Sequence, residues 1–266
     1  MIRLNPSCSL SLSKGEEKMS DIILQTTNLT KSFGGLAAVN RVDFKLLKGN
    51  IHAIIGPNGS GKTTFFNLLT GYYKPDGGKV LFKGEDITGI EPFKICKRGI
   101  FRSFQITAIY PKLSVLENVQ IARFSNRGRS YTFFENAKKL FNEEACGIIE
   151  EVGLLDQKDV LGGKLSHGDR KRLELAIVLS NEPEVMLLDE PTAGMSPEET
   201  RESMKLIMKI GEKRGLTILF VEHDMSVVFG YARRVTVFHQ GGLLTEGTPD
   251  EVKANKQVQN VYLGGE

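Results

Sequence analysis

Gly56-Pro57-Asn58-Gly59-Ser60-Gly61-Lys62-Thr63 fits, without a gap, the glycine-rich pattern G-x-x-x-x-G-K-[ST]. Glycines let a backbone curl until successive N–H groups converge on an anion, and the start of the following helix adds its positive dipole end. In that chemistry Lys62 neutralises β and γ phosphates, and Thr63 offers a hydroxyl to Mg2+. The alternative is a tight turn carrying a stray lysine. Its context favours the cradle: the β-branched run Ile51, Ile54, Ile55 precedes it, and a helical run from Thr64 to Thr70, closed by Gly71, follows.

Four other places carry chemistry. The apolar run Val185-Met186-Leu187-Leu188 ends in Asp189-Glu190, two carboxylates that are costly at the tip of a buried strand unless a cation or a proton attends them. Asp189 suits Mg2+ held through water, and Glu190 suits a group that orients or deprotonates an attacking water. The alternative is a helix cap reached from a strand. A second apolar run ends at Val221-Glu222-His223-Asp224, where parallel pairing with the first would bring the His223 imidazole towards a γ-phosphate. Gln105, in Phe101-Arg102-Ser103-Phe104-Gln105, offers an amide to Mg2+ and the water, although a lone glutamine is most often structural. Leu165-Ser166-His167-Gly168-Asp169 precedes a helix, so its N–H groups and the Ser166 hydroxyl form a second anion cradle. Two cradles exceed the needs of one γ-phosphate. One copy's second cradle covering the nucleotide held by another copy resolves the surplus.

The elements that must position these groups follow from hydrophobic periodicity. Strand-like runs at 22–26, 42–46, 51–55 and 79–82 alternate with Gly34-Gly35, Lys48-Gly49-Asn50 and Asp76-Gly77-Gly78. From about 106 to 164 the pattern turns helical, with Ala137, Leu140, Phe141, Ala145, Ile148, Ile149 and Val152 on one face and Gly153 as the stop. A helix at 169–180, a strand at 185–188, a helix at 197–213 and a strand at 217–221 then alternate, implying a parallel sheet covered by helices. Ser196, Pro197 and Glu199 mark the start of the third of these. Val235 to Phe238 and Leu243 to Glu246 read as a hairpin around Gln240-Gly241-Gly242. In such sheets ligands sit at the carboxyl ends of the strands, where the charged residues gather.

Composition narrows the classes. The 266 residues are 40% hydrophobic, enough for one large core or two modest lobes. Cys8, Cys96 and Cys146 are far apart, which points to neither a disulfide framework nor a zinc site and makes a reducing compartment the default. A net charge of +3 does not call for nucleic acid. No apolar stretch approaches the roughly 18 to 20 residues that span a bilayer. Residues 1–19 are expected to form a disordered extension with Met19 as a possible natural start, and they lack the apolar core of a secretory signal.

From about Ile22 to its C-terminus the chain resembles the ABC-type ATPase subunits. The similarity rests on a phosphate loop at Gly56 to Thr63, a Q-loop glutamine at Gln105, a signature at Leu165 to Asp169, a Walker B pair at Asp189 and Glu190, and a switch histidine at His223. It implies an α/β fold: a P-loop NTPase with a mostly parallel RecA-like sheet, an antiparallel β subdomain and an inserted helical subdomain. Residues 20–266 would form the ATPase domain, with 20–104 and 165–266 as nucleotide-binding core and β subdomain, and 105–164 as the helical subdomain. It further implies a head-to-tail dimer sandwiching two ATP molecules. Phe33 would stack on adenine, and Gly56, Pro57, Asn58, Gly59, Ser60, Gly61, Lys62, Thr63 and Thr64 would hold the phosphates. Ser166, His167 and Gly168 would cover the partner's nucleotide. Thr63, Gln105 and Asp189 would serve Mg2+, and Glu190, His223 and Gln105 the hydrolysis.

Two departures stand out. The family's signature is usually Leu-Ser-Gly-Gly-Gln, whereas His167 and Asp169 replace its third and fifth residues here. The D-loop reads Ala193-Gly194-Met195-Ser196 where aspartate commonly ends it. Narrower similarity, in Phe33-Gly34-Gly35-Leu36-Ala37-Ala38-Val39, Arg102-Ser103-Phe104-Gln105, Val221-Glu222-His223-Asp224-Met225 and Tyr262-Leu263-Gly264, is to the ATP-binding subunits of bacterial branched-chain amino-acid importers. Importers of urea and short amides share much of it. The expected partners are a second ATPase subunit, two transmembrane permease subunits and, indirectly, a periplasmic or surface solute-binding protein, with the chain peripheral on the cytoplasmic face of the membrane. The other classes weighed are a soluble ABC-type ATPase of DNA repair or translation and a weakly hydrolysing regulatory subunit.

Overall fold

The structure is a computed structural model that describes residues 21–103, 109–126 and 135–263. Strands β1 (Ile22–Phe33) and β2 (Leu36–Leu47) form an antiparallel hairpin whose turn requires the positive φ of Gly34, at 58°. With β4 (Gly77–Phe82) and β5 (Glu85–Asp86) they make a four-stranded sheet in the order β2-β1-β4-β5. The strands expected at 22–26 and 42–46 are therefore each part of a longer one. The pairing register shifts between Thr26 and Leu29, where Asn28 takes φ 48°, and a bulge of this kind breaks the period-two pattern that marks a strand in sequence.

The second sheet has six strands: β3 (Ile51–Ile55), β6 (Ile100–Ser103), β7 (Val185–Asp189), β8 (Thr217–Val221), β9 (Arg234–His239) and β10 (Gly242–Gly247). Their order is β10-β9-β3-β8-β7-β6. All neighbours are parallel except β10, which returns antiparallel along β9. The expected hairpin at 235–246 is thus the edge of the main sheet. Strands β3, β7 and β8 are buried along their whole length, as parallel strands covered on both faces must be.

Alternation divides each central strand between two cores. Ala53, Ile55, Met186, Leu188, Ile218 and Phe220 face one cluster, packed with residues of α4 (Glu135–Glu151), α5 (His167–Leu179) and α6 (Pro197–Arg214). Ile54, Val185, Leu187, Leu219 and Val221 face the other, shared with α1 (Lys62–Leu69) and the antiparallel sheet. On α4 the expected stripe is buried at Phe141, Ala145, Ile148, Ile149 and Val152, and Gly153, φ 74°, ends it. The side chains of Ala137 and Leu140 lie outside the described residues. Helix α4 packs on α3 (Val115–Asn126) and α5. Helix α6 begins at the Ser196 and Glu199 capping box and ends at Gly215 in the left-handed conformation. Helix α5 starts two residues before the expected 169, because Ser166 already caps it.

Four short α-helices, α2 (Pro92–Lys97), α7 (Met225–Tyr231), α8 (Pro249–Ala254) and α9 (Lys256–Leu263), and two 3-10 turns, Leu155–Gln157 and Gly162–Lys164, complete the described elements. Among the described residues no helix is long and apolar enough to cross a membrane.

Candidate active site

The chain leaves β3, β7 and β8 at one end of the sheet, and the phosphate loop, the Asp189-Glu190 pair and Glu222-His223 follow those strands directly. This is the carboxyl edge at which parallel sheets bind ligands.

The loop between β3 and α1 closes too tightly for any side chain at two of its glycines. A Cβ on Gly56 would lie 2.2 Å from the Phe238 carbonyl oxygen, and one on Gly61, φ 105°, would lie 2.1 Å from that of Ala38. Helix α1 starts with no side-chain cap and no acidic residue in its first turn, so its N-terminal dipole is unopposed within the helix. The Ser60 hydroxyl is buried without a hydrogen-bond partner, and Thr63 is exposed. Lys62, only 6% exposed, folds back to donate to the carbonyls of Gly56 (2.7 Å) and Pro57 (3.0 Å). Burial holds its pKa below the ordinary lysine value, while Glu190 and Asp189 oppose that shift. The ammonium is therefore near enough to both carboxylates to feel their charge. An uncapped helix start, an orphan hydroxyl and a buried ammonium fit a polyanion.

Asp189, on the last residue of β7, is buried and receives the Arg102 guanidinium at 2.5 Å. Arg102, on β6, also donates to Asn67 of α1 at 2.5 Å and lies over the Phe66 ring. Glu190 sits at φ 47°, where its N–H donates to the Val221 carbonyl at 2.9 Å. A left-handed glutamate costs of order 1 to 3 kcal/mol and persists only where its surroundings over-determine it. This turn places Glu190 Oε1 3.2 Å from His223 Nε2, so the carboxylate and the imidazole expected from separate motifs form one pair. Glu222, beside them and 5% exposed, accepts from the N–H and hydroxyl of Thr192 and from the His223 N–H.

The second cradle differs from its expected form. The Ser166 hydroxyl accepts the Asp169 N–H (3.1 Å) and donates its own proton to the Asp169 carboxylate (2.8 Å), so its donor is already engaged within α5. Gln157 donates to the same carboxylate, while His167 is exposed. Phe33 is 45% exposed, edge-on to Tyr73 with ring centroids 5.3 Å apart, so it is no core residue. Gln105 lies outside the described residues, as do residues 1–20.

Sequence reasoning missed four positions here. Arg102 was visible only as part of a motif, and Glu222 only as a charge following four buried apolar residues. Gly241, φ 79°, donates to the Ser60 carbonyl (3.0 Å) and accepts from Asn40 (2.8 Å), so the β9–β10 turn braces the phosphate loop. Burial raises the hydroxyl pKa of Tyr262 on α9 to about 12, and the backbone of Gly56 acts against that shift. Only the three-dimensional return of β9 and α9 to β3 brings these last two to the loop.

Fold and site together define a P-loop nucleotide-binding protein. Residues 39–193 match the family model described as ABC transporter, and residues 243–266 match that of the branched-chain amino acid ATP-binding cassette transporter. The chain is similar to the high-affinity branched-chain amino acid transport ATP-binding protein LivG of Escherichia coli K12. The two are 38% identical over 254 residues, covering 92% of this chain and 99% of LivG. It is 36% identical to BraF, the corresponding protein of Pseudomonas aeruginosa, over 92% of this chain and 99% of that one. Among solved structures, the ADP conformation of an ATP-binding cassette of an ABC transporter superposes with a TM-score of 0.81 at 32% identity, covering 92% of this chain and 99% of that one. A dimeric cassette in a post-hydrolysis state bound to ADP and Pi superposes with a TM-score of 0.70 at 26% identity, over 85% of this chain and 99% of that one. The chain belongs to the ABC transporter family, as a nucleotide-binding member.

Proposed function

We propose that this chain is the ATP-binding and hydrolysing subunit of an ABC importer, energising uptake of a small solute, with branched-chain amino acids first in line. The observation that carries the hydrolytic reading is the convergence of an uncapped helix start, the buried Lys62 and the Glu190–His223 pair at the end of one sheet. Similarity to LivG across 99% of its length, together with the C-terminal match, supports the solute class.

In this reading the loop from Gly56 to Thr64 binds the triphosphate, with Lys62 neutralising its β and γ groups, and Phe33 takes the adenine. Thr63, Gln105 and Asp189 supply the hydroxyl and carbonyl-type oxygens that suit a hard divalent cation. Mg2+ bound there supplies charge neutralisation of the phosphate oxygens. Glu190 orients the attacking water and accepts its proton. His223, whose Nε2 meets Glu190, holds that carboxylate and faces the γ-phosphate. Arg102 occupies Asp189 and neutralises it when no cation does.

A second copy contributes Ser166, His167 and Gly168 over the nucleotide, a reading supported by the dimeric relative bound to ADP and Pi. The helices within 105–164 then carry closure to two permease subunits at the cytoplasmic face of the membrane, with the solute delivered by a binding protein.

The test is reconstitution of the chain with its permease subunits in proteoliposomes. ATP-dependent uptake of labelled leucine is expected, with Glu190→Gln lowering ATP hydrolysis by about a hundredfold or more. Uptake of urea or acetamide in place of leucine would overturn the solute class. A wild-type chain that binds ATP without hydrolysing it would overturn the enzymatic reading.

A further inference from the structure

We infer that Glu222 is a positioning residue, which fixes the geometry between Glu190 and His223 without touching the reacting atoms. The inference rests on the hydrolytic reading above and adds a residue to it.

Glu222 follows the last residue of β8 and is 5% exposed. A carboxylate so buried is unfavourable unless donors surround it. Three do. Its Oε1 accepts from the Thr192 N–H at 2.9 Å and from the Thr192 hydroxyl at 2.5 Å, and its Oε2 accepts from the His223 N–H at 3.1 Å. Thr192 is itself buried. These donors belong to the two segments that carry the reactive pair, Glu190-Pro191-Thr192 after β7 and Glu222-His223 after β8.

Beyond Glu190 the chain turns, the Glu190 carbonyl accepting from the Ala193 N–H at 3.1 Å, and Glu222 anchors Thr192 inside that turn. Pro191 has no N–H, so Thr192 is the first residue beyond Glu190 whose amide can be anchored. Upstream, the Glu190 N–H is tied to the Val221 carbonyl at 2.9 Å. Glu190 itself occupies the left-handed region, which a non-glycine residue keeps only when fixed from both sides. Val221 supplies one side, and on the other Glu222 acts together with the Ala193 turn. The same carboxylate grips the backbone of His223, so both partners of the 3.2 Å Glu190–His223 contact share a single support.

Glu222→Gln keeps shape and one carbonyl-type acceptor for Thr192, but turns an amide NH2 towards the His223 N–H. Glu222→Ala removes both acceptor oxygens and with them all three hydrogen bonds. In the proposed reading nucleotide binding is set by Phe33 and the loop between β3 and α1, which neither variant touches. The expected result is a fall in kcat of about tenfold for Glu222→Gln and about a hundredfold for Glu222→Ala, with the Kd for ATP unchanged within about twofold. Thr192→Val should cost about tenfold and should not add to Glu222→Ala. Rates are to be expressed per site able to bind nucleotide, so that partial unfolding does not imitate the effect. The imidazole 15N resonances of His223 should shift in Glu222→Gln, which a merely structural role elsewhere would not produce. If Glu222→Ala does not fold, Glu222→Gln and Thr192→Val decide. Wild-type kcat in both folded variants, or loss of ATP affinity in step with kcat, overturns the inference. Either outcome stands beside an inactive Glu190→Gln control; a Glu190→Gln chain as active as wild type would instead overturn the hydrolytic reading itself.

Discussion

Asp169 shows how one substitution within a motif redirects a hydroxyl. In the third helical position of α5 its carboxylate lies near the positive end of the helix and takes the Ser166 proton, with Gln157 as a second donor and Arg172 4.0 Å away. The arrangement stabilises α5 and at the same time puts a negative charge beside the N–H groups that would cover a partner's phosphate in the proposed dimer. Asp169→Gln should separate the two effects. Stability is expected to fall by about 0.5 to 1 kcal/mol, from the lost interaction with the helix dipole. The ATP-dependent dimer should tighten by about fivefold, because the Ser166 proton is released and the repulsion removed. Thermal melting and analytical ultracentrifugation of the chain in a Glu190→Gln background measure the two. A dimer weakened in parallel with stability would mean that Asp169 assists the contact.

At the scale of elements, the site is legible where one segment of sequence makes both the element and the chemistry. The phosphate loop, the run ending in Asp189-Glu190, the capping box of α6 and the buried stripe of α4 each carry their signal within about a dozen residues, and each lies in the described structure where periodicity puts it. What escaped depends on pairing between distant segments. The bulges of β1 hide its length, β6 is only four residues long, and Arg102 meets Asp189 only because β6 lies beside β7. The β9–β10 turn was read as a hairpin, but not as a wall of the phosphate loop. That role predicts an outcome for Gly241→Ala. The added Cβ would stand 2.6 Å from the Ala37 carbonyl oxygen at a φ of 79°, so the turn must withdraw and release the Ser60 carbonyl. The KM for ATP should rise by about tenfold, with a smaller change in kcat, since Glu190 and His223 hang from β7 and β8. Steady-state kinetics decide it, and an unchanged KM would show that the loop stands without the turn.

The whole molecule has two properties that no single element explains. One is a stability that depends on pH through His52, buried in β3 with Nε2 2.7 Å from the Thr236 hydroxyl and edge-on to Phe44. Burial first, and Arg234 second, lower its pKa to about 3. The folded value lies below the ordinary 6.5 of an unfolded histidine, so this contribution is complete above pH 6.5 and is lost as pH falls towards 3. Denaturant unfolding between pH 6.5 and 4.5 should show an added slope of at most about 1.4 kcal/mol per pH unit, absent in His52→Gln. Parallel curves would remove His52 from the account. The other is the symmetry of the proposed dimer. If the Ser166 cradle serves a partner's nucleotide, two chains damaged at different cradles must rescue each other. In a mixed dimer of Lys62→Ala and Ser166→Arg chains, one site combines both lesions and the other combines the intact phosphate loop of one chain with the intact cradle of the other. Equal mixing makes about half the dimers mixed, each with one working site of two, so ATPase activity should return to about a quarter of wild type from two chains inactive alone. Were each chain to complete its own site, no mixture would recover any activity, and the head-to-tail arrangement would fail with it.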